Sequence, residues 1–126
     1  MPKNKLKILL VEDDEFLSSI LRKKLEKNGE KVITAYDGVE TIKKIKKEKP
    51  DIILLDLILP EKNGFEVLAE IKTDKRLAKI PVIILSNLCQ EKDIQKGKSL
   101  GALEFYVKSD ISLDEVVEGL KKYKKS

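Results

Sequence analysis

The sequence has no histidine, no tryptophan and a single cysteine, Cys89. One cysteine excludes a disulfide bond within the chain and suits a reducing compartment, so we expect a cytoplasmic location. Because there is neither a histidine nor a cluster of cysteines, the usual zinc ligands are missing as well. For Cys89 itself we expect a packing role and no other.

Long hydrophobic runs are also missing. The apolar residues at 8–11 are followed at once by Glu12 and Asp13, so this run is too short for a signal peptide or a membrane span. No low-complexity segment, linker or longer repeat divides the chain. Its 126 residues therefore predict one domain over residues 1–126, without a transmembrane segment.

Charged residues, by contrast, are abundant and make up 38% of the chain. The 26 lysines and arginines outnumber the 22 aspartates and glutamates, which gives a formal net charge of +4. The lysines are scattered among glutamates along the predicted helices, a pattern more typical of a solvated helix surface than of a nucleic-acid-binding patch. We therefore expect no direct DNA binding.

One apolar run, residues 52–59, contains a single carboxylate, Asp56, and lies between Pro50 and Pro60. A run that is apolar at nearly every position predicts a strand buried on both faces, as in a parallel sheet. Asp56 then lies at or just past the end of this strand, with a loop at 57–62. In open α/β sheets ligands bind at this edge, and a carboxylate in such surroundings needs a partner.

Hydrophobic spacing and capping signals predict five strands that alternate with five helices. The remaining strands are predicted at residues 6–11, 31–35, 81–86 and 105–108. Helices are predicted between them, beginning after the first acidic cluster, at the capping signals of Asp37 and Ser112, at Asn63-Gly64 and at Glu91. Right-handed crossovers then give a doubly wound α/β fold, a five-stranded parallel sheet with helices on both faces.

Polar side chains follow four of these strands: Glu12, Asp13, Asp14, Asp56, Ser86 and Lys108. Each has a structural explanation by itself, since an aspartate can cap a helix and a serine can begin a turn. The carboxyl ends of parallel strands share one edge, however. An acid, a hydroxyl and a base that meet there make up the groups of a reaction site.

The electrostatics of the acids indicate a missing cation. Two carboxylates about 4 Å apart repel each other by roughly 4 kcal/mol at an effective dielectric constant near 20. Asp13 and Asp56, with Glu12 beside them, should therefore hold a cation or take up protons. Oxygen ligands suit Mg²⁺, which would leave Asp56 able to attack a phosphorus atom while Ser86 and Lys108 bind the phosphoryl oxygens.

In this arrangement the sequence resembles the receiver domain of two-component response regulators, of the stand-alone, chemotaxis-regulator type. The matching segments are residues 7–13 and 51–56, Leu59-Pro60, Asn63-Gly64, residues 81–86, Gly101-Ala102, Phe105 and Lys108. The resemblance covers essentially the whole chain and implies a flavodoxin-like strand order, 2-1-3-4-5. It also implies a signalling switch that catalyses only its own phosphorylation and dephosphorylation, and not an enzyme acting on other substrates.

The resemblance implies particular roles at the site. Asp56 would accept a phosphoryl group from a histidine kinase or a phosphotransfer protein, and Ser86 and Lys108 would hold that group. Asp13 would bind Mg²⁺ directly. Asp56 and the carbonyl group of Ile58 would be further ligands of the ion, and Glu12 would bind it through a water molecule.

The resemblance also implies how the signal leaves the site. Phe105 would change rotamer when Ser86 moves toward the phosphoryl group. The fourth helix, fifth strand and fifth helix would then bind a downstream protein. Since the sequence ends just after its fifth predicted helix, we expect output by contact with that protein and not through an attached output domain.

Two departures from the family pattern lead to further predictions. Ser109 follows Lys108 where the family usually has a proline with a cis bond, and a cis bond without proline costs about 2.5–4 kcal/mol. We therefore predict a trans bond. Ile58 and Leu88, two residues past the phosphoacceptor and the hydroxyl, are apolar, so they should hinder water and make the acyl phosphate comparatively long-lived.

Three other functions stay open at the level of sequence. A phosphatase of the haloacid dehalogenase type also uses an aspartyl phosphate, but it wants a second acid where this chain has Ile58. A flavin-binding flavodoxin would need a loop rich in serine, threonine and glycine after the first strand, where this chain has acids. A scaffold that kept the shape of the site without being phosphorylated is the strongest alternative, because of the altered Lys108-Ser109 pair.

Overall fold

The computed structural model of the protein describes residues 5–124. Residues 1–4 and 125–126, the two ends of the predicted domain, lie outside the described residues. The described chain alternates strands and helices in the order β1 Lys7–Val11, α1 Glu15–Lys27, β2 Lys31–Ala35, α2 Gly38–Glu48, β3 Ile52–Leu55, α3 Gly64–Thr73, β4 Val82–Ser86, α4 Glu91–Ser99, β5 Glu104–Val107 and α5 Leu113–Lys121. A short 3₁₀ turn, Lys108–Asp110, joins β5 to α5.

The strands form one parallel sheet in the order β2-β1-β3-β4-β5, which confirms the predicted doubly wound α/β fold. Val11 at the end of β1 is in register with Leu55 at the end of β3. Leu55 is in turn in register with Ile84, two residues before the end of β4. The residues that follow these strands therefore emerge side by side at one edge of the sheet.

Two hydrophobic cores, one on each face of the sheet, hold the helices. On one face Leu9, Ile53 and Ile84 pack with residues of α2 and α3. On the other face Leu10 and Leu54 pack with residues of α1 and α5. All four residues of β3 are buried, as the unbroken apolar run predicts.

Helix capping follows the sequence signals at most positions. Ser112 and Glu115 form the predicted capping box of α5. At α2, Asp37 caps as predicted, but the Glu40 carboxylate accepts from the main-chain nitrogen of Tyr36 instead of completing a box. Within residues 5–124, every helix is too short or too polar to span a membrane.

Three side chains of residue types that are usually buried are exposed. Phe16 and Val39 fit the apolar spacing of α1 and α2, yet Phe16 is 76% exposed and Val39 is exposed as well. Both lie in the first turn of their helices, beyond the part of each helix that packs on the sheet. Cys89 is exposed in the loop between β4 and α4, so its predicted packing role is wrong.

Candidate functional site

The acids that follow β1 have different environments. Glu12 is buried, and one of its carboxylate oxygens accepts from the main-chain nitrogen of Asp14 at 3.1 Å. Asp14 is the N-cap of α1, since its side chain accepts from the nitrogens of Phe16 and Leu17. Asp13 lies between them and is exposed. The structure thus makes Asp14 the helix cap and leaves Asp13 available for a ligand.

Asp56 follows β3 directly and is only 4% exposed. Its Oδ1 accepts from the hydroxyl of Ser86 at 2.7 Å and from the main-chain nitrogen of Ile58 at 3.1 Å. Its Oδ2 accepts from Nζ of Lys108 at 2.7 Å. Both oxygens of this buried carboxylate therefore have hydrogen-bond donors, which offsets the cost of removing the charge from water.

Lys108 is shared between two buried carboxylates. Its Nζ lies 2.6 Å from Oε1 of Glu12 as well as 2.7 Å from Oδ2 of Asp56. Burial by itself lowers the pKa of Lys108, but the hydrogen bonds that Lys108 donates to Asp56 and Glu12 outweigh burial and raise that pKa. Burial raises the pKa of Glu12, with the Asp56 charge adding to the effect and Lys108 opposing it. The lysine is therefore held as an ammonium ion between the two acids.

The carboxylates of Glu12, Asp13 and Asp56 form a cluster that fits a divalent cation. One oxygen of each lies within 4.8 Å of the others. When all are ionised, three negative charges face the one positive charge of Lys108, which leaves a net charge of −2. Oxygen ligands from carboxylates are those that Mg²⁺ prefers. The donor set thus matches Mg²⁺ in both charge and chemistry.

The other predicted residues, Ile58, Ser86 and Phe105, lie in the loop after β3, at the end of β4 and in β5. The side chain of Ile58 is 55% exposed beside Asp56, and its main-chain nitrogen, already described, is the part that contacts the carboxylate. Ser86 is fully buried, and its hydroxyl also accepts from the nitrogen of Leu88 at 3.2 Å. Phe105 is half-buried on β5 in register with Ile84 and packs against the adjoining core. The roles of these residues stay predictions.

Sequence reasoning missed one side chain beside the site, Asn87. Its Oδ1 accepts from the main-chain nitrogen of Ser109 at 3.0 Å and so joins the loop after β4 to the loop after β5. The peptide bond between Lys108 and Ser109 is trans, as predicted. The signal was present in the sequence, because a residue other than proline at position 109 has an N–H group that needs an acceptor.

The site thus lies at the carboxyl edge of a parallel sheet, where acids that follow two of the strands share one lysine. The chain belongs to the response regulator receiver domain family, whose model matches residues 8–121. The protein is therefore a receiver domain of the two-component signalling class, and domains of this class act as signalling switches.

Three similar proteins show the range of the family. The chain is 40% identical over 102 residues to PhoP of Bacillus subtilis, the alkaline phosphatase synthesis transcriptional regulatory protein. This match covers 81% of the chain but only 42% of PhoP. It is 32% identical to the polar-differentiation response regulator DivK of Brucella anthropi over 98% of the chain and 97% of DivK. The structure of phosphorylated RcpA, a cyanobacterial phytochrome response regulator, is 36% identical with a TM-score of 0.81, over 94% of this chain and 90% of RcpA.

Proposed function

We propose that Asp56 accepts a phosphoryl group from the phosphohistidine of a histidine kinase or phosphotransfer protein. The observation that carries this proposal is the pair of donors on opposite oxygens of one buried carboxylate, Ser86 on Oδ1 and Lys108 on Oδ2. A hydroxyl and an ammonium so placed can transfer their hydrogen bonds to the oxygens of an incoming phosphoryl group. The phosphorylated state of the similar protein RcpA supports the same chemistry.

In the transfer step an oxygen of Asp56 attacks phosphorus. A P–O bond to the aspartate forms, the P–N bond to the histidine breaks, and the bonding electron pair leaves with the imidazole. Negative charge spreads over the three outer phosphoryl oxygens in the transition state. Lys108 and Ser86 then stabilise that charge, because both donors already point at the reacting carboxylate.

Glu12, Asp13 and Asp56 would hold Mg²⁺, with the carbonyl group of Ile58 as a further ligand. When bound, Mg²⁺ supplies positive charge that offsets both the carboxylates and the phosphoryl group. Of the three acids, Asp13 alone is exposed, so it lies on the side from which an ion and a phosphoryl donor arrive.

Phosphorylation would convert this chemistry into a signal. It adds roughly 1.5 to 2 negative charges and new acceptor oxygens at Asp56. The hydroxyl of Ser86 would follow these oxygens, and Phe105 would move into the space that opens behind it. Ser86 is in register with Val107 of β5, and a Cβ atom at Gly97 of α4 would lie 3.5 Å from the ring of Phe105. We propose that a downstream protein binds at α4, β5 and α5.

The test is to incubate the protein with Mg²⁺ and acetyl phosphate and to measure the intact mass. The wild type should gain one phosphoryl group, and Asp56→Asn should gain none. Asp110→Asn, which changes an exposed aspartate in the neighbouring 3₁₀ turn, should be labelled like the wild type. A wild-type chain that stays unlabelled under these conditions would support the scaffold alternative and overturn the proposal.

A further inference from the structure

Ser86 and Lys108 hold the same carboxylate from two separate loops. Ser86 ends β4 and Lys108 begins the turn after β5, and their side chains bond to opposite oxygens of Asp56. The next residue in each loop is joined to the other loop, because the nitrogen of Ser109 donates to Oδ1 of Asn87 at 3.0 Å. Asp56, Ser86, Asn87, Ser109 and Lys108 therefore form a closed ring of covalent and hydrogen bonds.

Of the three hydrogen bonds in this ring, the one between Asn87 and Ser109 is the one that does not involve Asp56. Its donor is a main-chain N–H group, which every residue except proline provides. Its acceptor is the side chain directly after Ser86. The link therefore connects the two phosphoryl-binding groups through one residue on each side, and it can persist when the carboxylate itself is modified.

We infer that Asn87 is a positioning residue that makes Ser86 and Lys108 act together, an inference that rests on the function proposed above. When one oxygen of Asp56 is bonded to phosphorus, both donors must leave the carboxylate and follow the phosphoryl oxygens outward. The link between Asn87 and Ser109 keeps the two loops in register during this movement. Because the loops are linked, both donors are fixed in place at the entropy cost of ordering one unit. Two separate loops would each have to be ordered.

The first measurement is the rate of labelling by acetyl phosphate in the presence of Mg²⁺. Asn87→Ala should label about 2- to 10-fold more slowly than the wild type, the range expected for loss of one neutral hydrogen bond. Cys89→Ala, an exposed position in the same loop, should label at the wild-type rate. The urea midpoints of all three proteins should agree closely, since Asn87 and Cys89 are both exposed.

The donor side offers a matched pair of variants. Ser109→Ala keeps the main-chain N–H group, whereas Ser109→Pro removes it. The slowing caused by Asn87→Ala should persist in the Ser109→Ala background and disappear in the Ser109→Pro background. A residue with a merely structural role would slow labelling equally in both backgrounds, which would overturn the inference.

Two other outcomes separate this inference from the proposed function. If the wild type is labelled on Asp56 and Asn87→Ala is labelled at the same rate, the inference is wrong and the proposed function stands. If the wild type is not labelled at all, both are wrong. A direct readout is the amide resonance of Ser109, which should shift on addition of beryllofluoride and Mg²⁺ in the wild type and shift much less in Asn87→Ala.

Discussion

Among the individual residues of the site, Lys108 is the one whose charge compensates two buried carboxylates. It lies within 2.7 Å of carboxylate oxygens from both Glu12 and Asp56, and both of these acids are buried. Without the ammonium group the two acids would face each other with a repulsion of about 4 kcal/mol at 4 Å and a dielectric constant near 20. Lys108 thus stabilises the folded site independently of the part proposed for it in phosphoryl transfer.

Ile58 provides a prediction about the lifetime of the phosphorylated state. Its side chain is 55% exposed beside Asp56, and it offers no group that could orient a water molecule. Ile58→Asn adds an amide there, so phosphoryl loss should become about three- to tenfold faster, the effect of one hydrogen bond to the attacking water. The measurement is the decay of the phosphorylated mass after the phosphoryl donor is removed.

Ile58→Val is the matched control, because it keeps an apolar, branched side chain at the same exposed position. Its phosphoryl group should decay at the wild-type rate. Equal decay rates for Ile58→Asn and the wild type would reject the hypothesis that the apolar residue protects the acyl phosphate.

At the scale of secondary-structure elements, the contact between α3 and the loop after β3 fixes the backbone of Asp56. The nitrogen of Gly64, the first residue of α3, donates to the carbonyl oxygen of Leu57 at 2.9 Å. A Cβ atom at Gly64 would lie 2.5 Å from the carbonyl oxygen of Asp56 and 2.5 Å from Cα of Leu57. Since both are backbone atoms, the helix and the loop could not both keep their positions.

Gly64→Ala should therefore affect stability and labelling together. We expect a loss of about 1–3 kcal/mol in the free energy of unfolding, the usual cost of overpacking, and slower labelling of Asp56. Gly29→Ala is the control: it imposes a side chain at φ +91 with nothing within 4 Å, so it should destabilise the protein without slowing labelling. Unaltered labelling in Gly64→Ala would show that this contact does not position Asp56.

The end of α5 is tied to β5 through Glu104. The hydroxyls of Tyr106 and Tyr123 donate to its carboxylate at 2.9 and 2.5 Å, and Nζ of Lys122 lies 3.0 Å away. Burial by itself would raise the pKa of Glu104, but these three donors outweigh it and lower that pKa. For the phenols, burial and the bond to Glu104 raise the pKa of Tyr106 to about 12 and also raise that of Tyr123.

These shifts predict a loss of stability in alkali. The folded chain keeps the proton of Tyr106 to a higher pH than the unfolded chain, in which a tyrosine titrates near 10. Its contribution is therefore complete below about pH 10 and is lost as the pH rises toward 12. Urea unfolding between pH 9 and 12, compared with Tyr106→Phe and Tyr123→Phe, measures this contribution. Identical pH profiles for the three proteins would contradict it.

For the whole molecule, the fold was readable from the sequence because one strand, Ile52–Leu55, is apolar at every position and buried on both faces. Once this strand is central, the other strands and helices follow from their spacing, and the residues at the strand ends must meet. Strand ends also indicated Glu12, Asp56, Ser86 and Lys108, since a parallel sheet leaves little freedom for where these residues emerge.

The remaining features could not be predicted, because they depend on which distant side chains each residue contacts in the folded structure. Asp13 and Asp14 are neighbours with the same side chain, and the direction of the chain into α1 decides which one caps the helix. The bond from Lys108 to Glu12 joins residues that are far apart in sequence. The exposure of Phe16 and Cys89 likewise follows from where each element leaves the sheet, so periodicity could not show it.

The charge balance of the whole site leads to the last prediction. Asp13 is exposed and adds a third carboxylate to a site with one ammonium group, so Asp13→Asn should slightly stabilise the protein without Mg²⁺ by removing repulsion. With Mg²⁺ at about 100 times its dissociation constant, the wild type should gain about 2.7 kcal/mol, or roughly 10 °C in Tm, and Asp13→Asn should gain much less. The order of stability of the two proteins should therefore reverse when Mg²⁺ replaces NaCl at equal ionic strength.

Thermal melts of both proteins in the two salts measure this reversal, with Asp110→Asn as the control that should follow the wild type. Mg²⁺ stabilises the folded protein only as far as it binds the folded state, so removing one of its ligands must reduce the stabilisation. Equal Mg²⁺-induced shifts in Tm for the wild type and Asp13→Asn would therefore mean that Asp13 does not bind the ion.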